Sequence, residues 1–369
     1  MTGYLYTYAS DCVFEGCTFS ASEGKALQIY EDSATGENTV TIEDCAFVAA
    51  KQATTWDGKP VTGIDINSNG AKFEVYINNC TTTGFPTGLN SNSNLWNVKD
   101  AGKAHVNVCV DGAQVWFAGY DVVANGLFKK ENAYVVANAE GLVALNNLLA
   151  NKTAGKAVKV ALAADIDLAG VQFNGLNAFN PETNNTFDGQ NYTISNWTYE
   201  GGAGDMGFIR YWVGPVKDVK FENCHLKTAG RSAVVAAKIY GNMENVSVNN
   251  CSIVDSYWAC GLVAGLYNSG SVSNVTVTNS SVKSNGGTAA IVGVFNESAG
   301  ERGLKNCSVS NTTINNTGAY GEAYSGGALV GMFNSNATFI IEGCTVSNNT
   351  LEGGYVYEKY PANESVIEK

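Results

Sequence analysis

Proline, histidine and charged residues are scarce in this chain, and each scarcity narrows the classes of protein it can belong to. The 369 residues include 5 Pro, 2 His and 15% charged residues, and no apolar run is long enough to span a bilayer. Because His105 and His225 are the whole histidine content and no Cys-x-x-Cys pair exists, we predict neither a metal site nor a cofactor. The sequence also lacks a Ser-His-Asp order, a phosphate-binding loop and a dinucleotide fingerprint, so we assign no catalytic residue.

Acidic residues outnumber basic ones. The chain has 34 Asp and Glu against 22 Lys and Arg, for a formal net charge of -12. This balance argues against nucleic acid or an anionic membrane as the partner. The residues from Met1 to Tyr6 lack the charged start and apolar core of a signal peptide. We expect a secreted or cell-surface protein whose export signal lies upstream of this sequence; the alternative is a cytoplasmic protein that begins at Met1.

A short repeat recurs along the chain. Two apolar residues at alternating positions are followed by Asn, and the alternation resumes on the next residue, as in the segment from Val246 to Ile253. The Asn of the repeat is found at Asn196, Asn223, Asn250, Asn279, Asn311 and Asn348. The last five are separated by 27, 29, 32 and 37 residues, so insertions enter between strands that keep their register.

The alternation and the Asn together predict one coil of a solenoid. Apolar residues at period two form a strand with one buried face. Asn tolerates the left-handed backbone of a sharp bend, and its amide can bond to neighbouring groups. In the first half, Gly16, Asp44, Asn79 and Gly112 hold the bend position, and all three residue types accept the same conformation. We therefore predict that the Asn side chains of successive coils stack in a structural ladder.

A third strand-like element completes each repeat. The segment from Gly261 to Tyr267 recurs from Ala290 to Phe295 and again from Ala328 to Phe333. Three short strands in about 27 residues are typical of a parallel β-helix. The predicted fold is all-β: a right-handed parallel β-helix, or β-solenoid, with three sheets and one short helix in a central connecting segment.

Residues 127–190 interrupt the repeat. Leucines at helical spacing follow Asn138, so we predict one short helix over about 138–150 with Asn138 as its N-cap. Because a solenoid must cover its open end, a helix here indicates the start of a second module. We predict a β-helix module over 1–126 and a second one over 127–369, whose entry segment contains the helix.

The second module resembles a known class of bacterial proteins. The segments from Tyr134 to Leu142, Ala164 to Leu168 and Phe187 to Asn196, in this order, resemble cell-surface proteins with GLUG-type repeats. The segment from Gly261 to Gly265 resembles the GLUG motif itself. The first 125 residues are similar, more weakly, to the pectate-lyase-like β-helix class. The resemblance implies an extracellular protein of adhesin type and transfers no catalytic residue.

Ten cysteines would suit a disulfide framework in an exported protein, but their spacing does not. The position after the bend holds a cysteine in five repeats: Cys17, Cys45, Cys80, Cys224 and Cys251. Ser280 and Thr312 take the same position elsewhere, which indicates that a small buried residue is required there. We predict reduced thiols that stack in neighbouring coils.

Aromatic residues in loop-like sequence supply a candidate binding site. A long insertion in the first module carries Trp56 and Asp57, and the following coil adds Phe85 and Trp96. An exposed ring can cover the C–H face of a sugar while a carboxylate accepts its hydroxyl hydrogens. We hypothesise that these four residues form a glycan-binding face; the alternative is that the rings pack over the edge of the coil.

These observations favour an extracellular cell-surface protein that binds a glycan or another surface ligand, in the manner of an adhesin, without catalysis. The first alternative is a polysaccharide lyase or glycoside hydrolase on the same scaffold, which needs clustered carboxylates or a Lys or Arg base in one groove. The second alternative is a phage-type fibre. Acidic residues are scattered along the repeats, so we prefer the binding function to the enzyme.

Overall fold

The chain folds almost entirely into short β-strands. The computed structural model describes residues 11–21, 24–31, 37–49, 61–91, 93–150, 157–177, 184–202, 204–255, 257–296, 302–334 and 338–369. These residues form a β-solenoid of about 11 turns, which confirms the predicted all-β parallel fold. Spatial contacts divide the chain into two compact units, Met1–Glu131 and Asn132–Lys369. The division falls a few residues after the boundary predicted at 126.

Parallel sheets build the first unit. Sheet A contains Cys12–Glu15, Glu37–Glu43, Lys72–Asn78 and Val106–Val110; sheet B contains Thr18–Ala21, Ala46–Ala49 and Thr81–Thr83; sheet C contains Leu27–Glu31, Ile64–Ser68 and Trp96–Val98, followed by a 3-10 helix at Asp100–Gly102. Successive coils keep their register, so Val40, Val75 and Val108 lie side by side. These three side chains are buried in the interior, which is why the strands alternate apolar and polar residues.

The first unit ends in antiparallel hairpins, where the sequence predicted a further parallel coil. The paired strands are Val106–Val110 with Ala113–Trp116, and Asp121–Ala124 with Leu127–Lys130. Asp111 and Gly112 join the first pair with φ of 48° and 79°, and two positive φ values in a two-residue loop define a type I′ hairpin turn. The prediction of a coil bend at Gly112 is therefore wrong: Asp-Gly reverses the chain here.

Parallel sheets also build the second unit. In the described residues, sheet D contains Ala133–Val136, Lys159–Leu162, Ile166–Asp167, Thr186–Asp188, Thr193–Ser195, Val216–Glu222, Met243–Asn249, Ser271–Ser273, Thr276–Thr278, Arg302–Lys305, Ser308–Ser310, Phe339–Glu342, Thr345–Ser347 and Val366–Glu368. Sheet E contains Thr198–Glu200, His225–Thr228, Ser252–Asp255, Ser281–Ser284, Thr313–Asn316 and Thr350–Gly353. The narrow sheet F contains Cys260–Gly261, Thr288–Ala289, Gly326–Gly327 and Val356–Tyr357, and sheet G contains Leu176–Asn177, Ile209–Val213, Ala236–Tyr240, Ala264–Ser269, Val292–Asn296 and Val330–Asn334. Sheet F lies between sheets E and G along the chain, so it adds a short fourth side to the three that the sequence predicted.

The one α-helix of the described residues begins the second unit, as predicted. It spans Ala139–Ala150, and its N-cap is Asn138, whose Oδ1 accepts a hydrogen bond from the Gly141 N–H at 2.8 Å. Its buried leucines are Leu142, Leu145 and Leu149. The helix therefore packs one apolar side against the unit, while Leu148 on another side is exposed.

Asn residues occupy bends of the second unit. The residues Asn196, Asn223, Asn250, Asn279, Asn311 and Asn348 all have φ between 49° and 56°. The amide of Asn223 donates to Asn196 Oδ1 at 2.6 Å, and that of Asn250 donates to Asn223 Oδ1 at 3.3 Å. Farther along, Asn279 donates to Asn249 instead of Asn250. The left-handed bend thus recurs at every predicted position, whereas direct stacking of the amides is seen in the earlier coils.

A second column of bends, five residues before the first, was not predicted. Asp218, Asn245, Asn274 and Asn306 have φ between 52° and 54°. Each Asn amide donates to the preceding member of the column, at 2.7, 3.1 and 3.4 Å in chain order. These residues directly precede the first apolar position of the repeat, so the signal was present in the sequence. The two columns together bend each coil of sheet D twice.

In several coils the position after the Asn bend holds a small side chain that both donates and accepts a hydrogen bond. Cys251 Sγ donates to Asn249 O, two residues earlier, at 3.2 Å and accepts from the Cys224 N–H at 3.4 Å. Ser280 Oγ donates to Thr278 O at 2.6 Å and accepts from the Cys251 N–H at 3.1 Å. Cys and Ser exchange here because both side chains are small and both donate and accept a hydrogen bond.

Cys344 is expected to be the most reactive thiol of the second unit. It is half-buried in the coil after Cys307, and the hydrogen bond from the Cys307 thiol lowers the pKa of Cys344 to about 7. Since the thiolate is the nucleophile, the rate of its reaction with iodoacetamide should rise steeply up to about pH 7 and level off about one unit higher. Brief labelling at several pH values, followed by peptide mass mapping, measures this rate.

Cys260 is the internal control for that experiment. It is fully buried, and burial raises the pKa of its thiol well above the usual value. It should be labelled only after the protein is unfolded, and titration of the unfolded protein without reductant should then recover nearly all ten thiols. Equal labelling of Cys260 and Cys344 in the folded protein would contradict the prediction.

Candidate functional site

Two of the four residues predicted to bind a glycan are buried. Phe85 and Trp96 are 7% and 5% exposed, and the ring of Trp96 lies 6.3 Å from that of Trp116 in the core of the first unit. Trp96 belongs to a strand of sheet C, not to a loop. Trp56 and Asp57 lie outside the described residues. Burial favours the packing alternative for Phe85 and Trp96, and a binding site at Trp56 and Asp57 stays a prediction.

A row of polar side chains crosses sheet C of the first unit. Gln28, Asp65 and Asn97 lie side by side in register, and all three are buried. Because their neighbours along each strand face the interior, the row belongs to the outer face of the sheet. Two ammonium groups approach Asp65 Oδ2, with Lys99 Nζ at 3.0 Å and Lys25 Nζ at 3.7 Å.

The charges of this row compensate one another. Lys25 Nζ also donates to Gln28 Oε1 at 2.9 Å, and burial, opposed by the charge of Asp65, lowers the pKa of Lys25. Burying a carboxylate without cationic or hydrogen-bonding partners would destabilise the fold by about several kcal/mol, because the ion loses its hydration. The lysines therefore stabilise Asp65 within the fold. An amine of lowered pKa beside a carboxylate is also the chemistry that the enzyme alternative requires.

A row of exposed and half-buried aromatic rings lies on the second unit, in the turns that lead from sheet E to sheet F. It consists of Tyr257, Trp258, Tyr320 and Tyr324, which we call the aromatic strip. Ring centroids are 6.1 Å apart for Tyr257 and Trp258, 6.2 Å for Trp258 and Tyr324, and 5.5 Å for Tyr320 and Tyr324. Tyr257 and Tyr320, at the two ends, are 37% and 45% exposed. A contiguous exposed set of large rings indicates a binding surface.

Buried polar side chains hold the turns that carry the strip. Asp255, Ser284 and Asn316 end three successive strands of sheet E, and all three are buried. Asp255 Oδ1 accepts from the Tyr257 N–H at 2.8 Å, and Ser284 Oγ donates to the Tyr257 carbonyl at 2.7 Å. Asn316 Nδ2 donates to the Tyr324 carbonyl at 2.8 Å. The rings are thus positioned before a ligand arrives, which lowers the entropy lost on binding.

Trp258 and Tyr324 also pack against the body of the unit. Trp258 packs against a small buried cluster formed by Ala259, Leu266 and Val294, of which the last two are neighbours in sheet G. Tyr324 lies so close to the Gly286 backbone that a Cβ at Gly286 would come within 2.5 Å of the Tyr324 Cβ. These two half-buried rings form the base of the aromatic strip, and the more exposed tyrosines flank them.

The aromatic strip offers chemistry suited to a sugar. Aromatic faces can cover the C–H face of a pyranose ring, while neighbouring polar groups bond its hydroxyls. Such groups are present in the same turns: Thr317 Oγ1 donates to Asn285 Oδ1 at 3.0 Å, and Glu322 is exposed. The turns therefore combine apolar ring faces with both hydrogen-bond donors and hydrogen-bond acceptors.

The sequence carries a signal for part of this site in the length of one repeat. The longest step between ladder residues, 37 residues from Asn311 to Asn348, contains both Tyr320 and Tyr324. A long step means a long turn, and turns of a solenoid project from the packed strands. Tyr257 and Trp258 carried no such signal, because the step that contains them is of ordinary length.

In the described ranges, no group of three or more His, Cys, Asp or Glu side chains is placed to hold a metal ion. No helix in this part of the chain is long and apolar enough to cross a membrane.

No family model matches the chain, and no curated protein matches it. Among solved structures, the chain is similar to a protein of Bacteroides ovatus described as a candidate immunoglobulin A1 protease. The two are 20% identical, with a TM-score of 0.46 over 65% of this chain and 78% of the other.

The similarity to GLUG-type proteins therefore stays a prediction. The GLUG-like segment from Gly261 to Gly265 begins in sheet F and ends in sheet G. Leu262 and Val263 are fully buried, and Gly265 approaches the carbonyls of neighbouring coils too closely for a side chain. Packing at the corner of the coil accounts for this motif without any function.

Proposed function

We propose that the protein is an extracellular, cell-surface β-solenoid that binds a glycan through the aromatic strip, without catalysis. The observation that carries the proposal is the row of four rings, two exposed and two half-buried, which anchored turns hold in place. The extracellular location is supported by the low charge content and by the resemblance to adhesin-type surface proteins. The adhesin role follows from location and glycan binding together.

The shape of the aromatic strip favours a saccharide over a folded protein partner. Its turns follow sheet E strands that are two coils apart, which corresponds to about 10 Å along the solenoid. A surface of this length suits a short stretch of a sugar chain, whereas stable protein interfaces bury much larger areas. Rigid rings with a polar rim also bind at low entropic cost.

Removing one exposed ring tests the proposal. After a glycan array has identified a ligand for the wild-type protein, Tyr320→Ala should weaken its affinity about tenfold, or about 1.4 kcal/mol, by loss of one stacking face. Tyr320 is 45% exposed, so the melting temperature should stay nearly unchanged. Isothermal titration calorimetry and thermal melting measure the two effects.

A matched control tests whether removing any exposed aromatic ring, and not only one of the aromatic strip, lowers the affinity for the glycan. Tyr76 lies in sheet A of the first unit and is 39% exposed, so Tyr76→Ala should leave the affinity unchanged. Unchanged affinity in Tyr320→Ala would contradict the proposed site. A loss of affinity in Trp56→Ala instead would move the site to the insertion of the first unit.

The enzyme alternative rests on the polar row of sheet C. Its supporting observation is the amine of Lys25, whose pKa burial lowers, beside the carboxylate of Asp65. Release of reducing or unsaturated ends from a polysaccharide, abolished by Lys25→Met, would favour this alternative over binding alone.

A further inference from the structure

Two successive coils of the second unit contribute a cluster of cations, in strands of sheet G and in the turn before one of them. Arg210, Arg231 and Lys238 contribute three positive charges and Asp205 one negative charge, a local excess on a chain whose net charge is -12. Tyr211 lies side by side with Lys238 in register, on the next strand. We call Arg210, Arg231 and Lys238 the cationic patch.

Lys238 is held by rings instead of by a carboxylate. Its Nζ lies 4.6 Å from the ring centroid of Tyr211 and 5.6 Å from that of Tyr240, and the two rings are 5.7 Å apart. In the part of the chain that the structure describes, no Asp or Glu forms an ion pair with Lys238. The tyrosine faces position the ammonium by cation–π attraction and leave its charge uncompensated.

The two arginines are fixed by a single loop. Arg231 forms a bidentate ion pair with Asp205, with Nε 2.7 Å from Oδ1 and Nη2 3.1 Å from Oδ2. Arg210 Nε donates to the Asp205 carbonyl at 2.9 Å. Asp205 neutralises one guanidinium only, so the patch as a whole keeps a positive charge.

Neighbouring strands of sheet G connect the cationic patch with the cluster on which Trp258 packs. Lys238 pairs in register with Leu266 on the next strand of sheet G, and Leu266 belongs to that buried cluster. Adjacent strands are about 4.8 Å apart, so a chain that lies on Trp258 reaches Lys238 within about one further sugar unit. In sheet G, the strand that carries Lys238 is therefore the neighbour of the strand in the coil that carries Trp258.

We propose that the saccharide bound by this surface is anionic, and that Lys238 receives its carboxylate or sulfate group while the aromatic strip covers its C–H faces. This inference rests on the proposed function, because it names the class of the glycan. Arg210 and Arg231 raise the local positive potential, and Tyr211 and Tyr240 act as positioning residues for Lys238.

Matched pairs of saccharides test the charge requirement. The probes are oligogalacturonate and its methyl ester, a hyaluronan hexasaccharide and its carboxyl-reduced form, and dextran sulfate and dextran. We expect the charged member of at least one pair to bind about tenfold more tightly at low salt, with the preference shrinking as ionic strength rises. A preference in the first two pairs identifies a carboxylate, and one in the third identifies a sulfate.

Charge-removing variants locate the effect. Lys238→Gln should lower the affinity for the charged probe about fivefold to tenfold and leave that for its neutral counterpart unchanged. The control Lys283→Gln removes an exposed charge from sheet E and should change neither affinity. Melting temperatures of both variants check that the fold is retained.

The outcomes separate this inference from the proposed function. One outcome is that neutral saccharides bind, that Tyr320→Ala weakens their binding, and that a charged group adds no affinity. In that case the glycan is neutral, so the inference is wrong while the proposed function stands. If Lys238→Gln and Lys283→Gln behave alike toward a charged probe, the cationic patch is not its site. If no saccharide of the array or of these pairs binds the wild-type protein, both proposals are overturned.

Discussion

Replacing Phe208 with alanine is expected to lower the free energy of unfolding of the second unit by about 3–5 kcal/mol. The Phe208 side chain is fully buried at the centre of an aromatic cluster. Four rings surround it with centroids 5.3 to 6.4 Å away: Phe173, Phe187, Trp197 and Phe221. The substitution loses the transfer free energy of the ring and leaves a cavity that these rigid neighbours cannot fill.

Urea denaturation followed by circular dichroism measures the change. Val254→Ala is the control, because Val254 is 47% exposed in sheet E and its truncation should cost no more than about 0.5 kcal/mol. Phe208→Leu, which keeps much of the volume, should fall between the two. A cost below about 1 kcal/mol for Phe208→Ala would mean that this cluster is not the core of the unit.

Asn250→Val should destabilise the second unit by about 1–3 kcal/mol, because a β-branched residue is strained in the left-handed region. Asn250 has φ of 51°, and its amide donates to Asn223 Oδ1 at 3.3 Å on the exposed edge of the coil. Because the amide is exposed, its hydrogen bond contributes little, and backbone strain accounts for most of the expected loss.

Asn250→Gly distinguishes the two causes. Glycine adopts positive φ without strain, so this variant loses the side-chain hydrogen bond but keeps the bend. We expect it to stay within about 1 kcal/mol of the wild type, clearly above Asn250→Val in the same denaturation experiment. Equal losses for Gly and Val would show that the ladder hydrogen bond, and not the left-handed bend, is what the position requires.

The sequence alone did not identify the aromatic strip or the burial of Trp96, because the residues that contact one another there are far apart in the chain. Trp96 was a candidate ligand-binding residue because its segment resembles a loop, with packing as the alternative; it forms a strand of sheet C and packs on Trp116. The aromatic strip was missed because Trp258 and Tyr324 are 66 residues apart and meet through the stacking of coils. Local composition reports neither the burial of a ring nor its neighbours in other coils.

The Asp111-Gly112 turn shows the same limit over a shorter distance. A Gly or Asp with positive φ suits both a coil bend and a type I′ hairpin. Whether a bend or a hairpin forms depends on which strand the next strand pairs with: the strand directly before it in the chain, or a strand of the previous coil. Here Ala113–Trp116 pairs antiparallel with Val106–Val110, and that pairing decides the local direction of the chain.

The sequence by itself determined the features that depend on near neighbours along the chain. The left-handed bends at Asn223 and Asn250, the alternation of strands and the cap at Asn138 all follow from backbone preferences of single residues and from period two. Tertiary structure alone decided which side chains of different coils meet, as at Asp65 with Lys99 and at Trp258 with Tyr324. The physical reason is that turns vary in length from coil to coil, so the side chains that meet at the turns do not recur at a fixed spacing in the sequence.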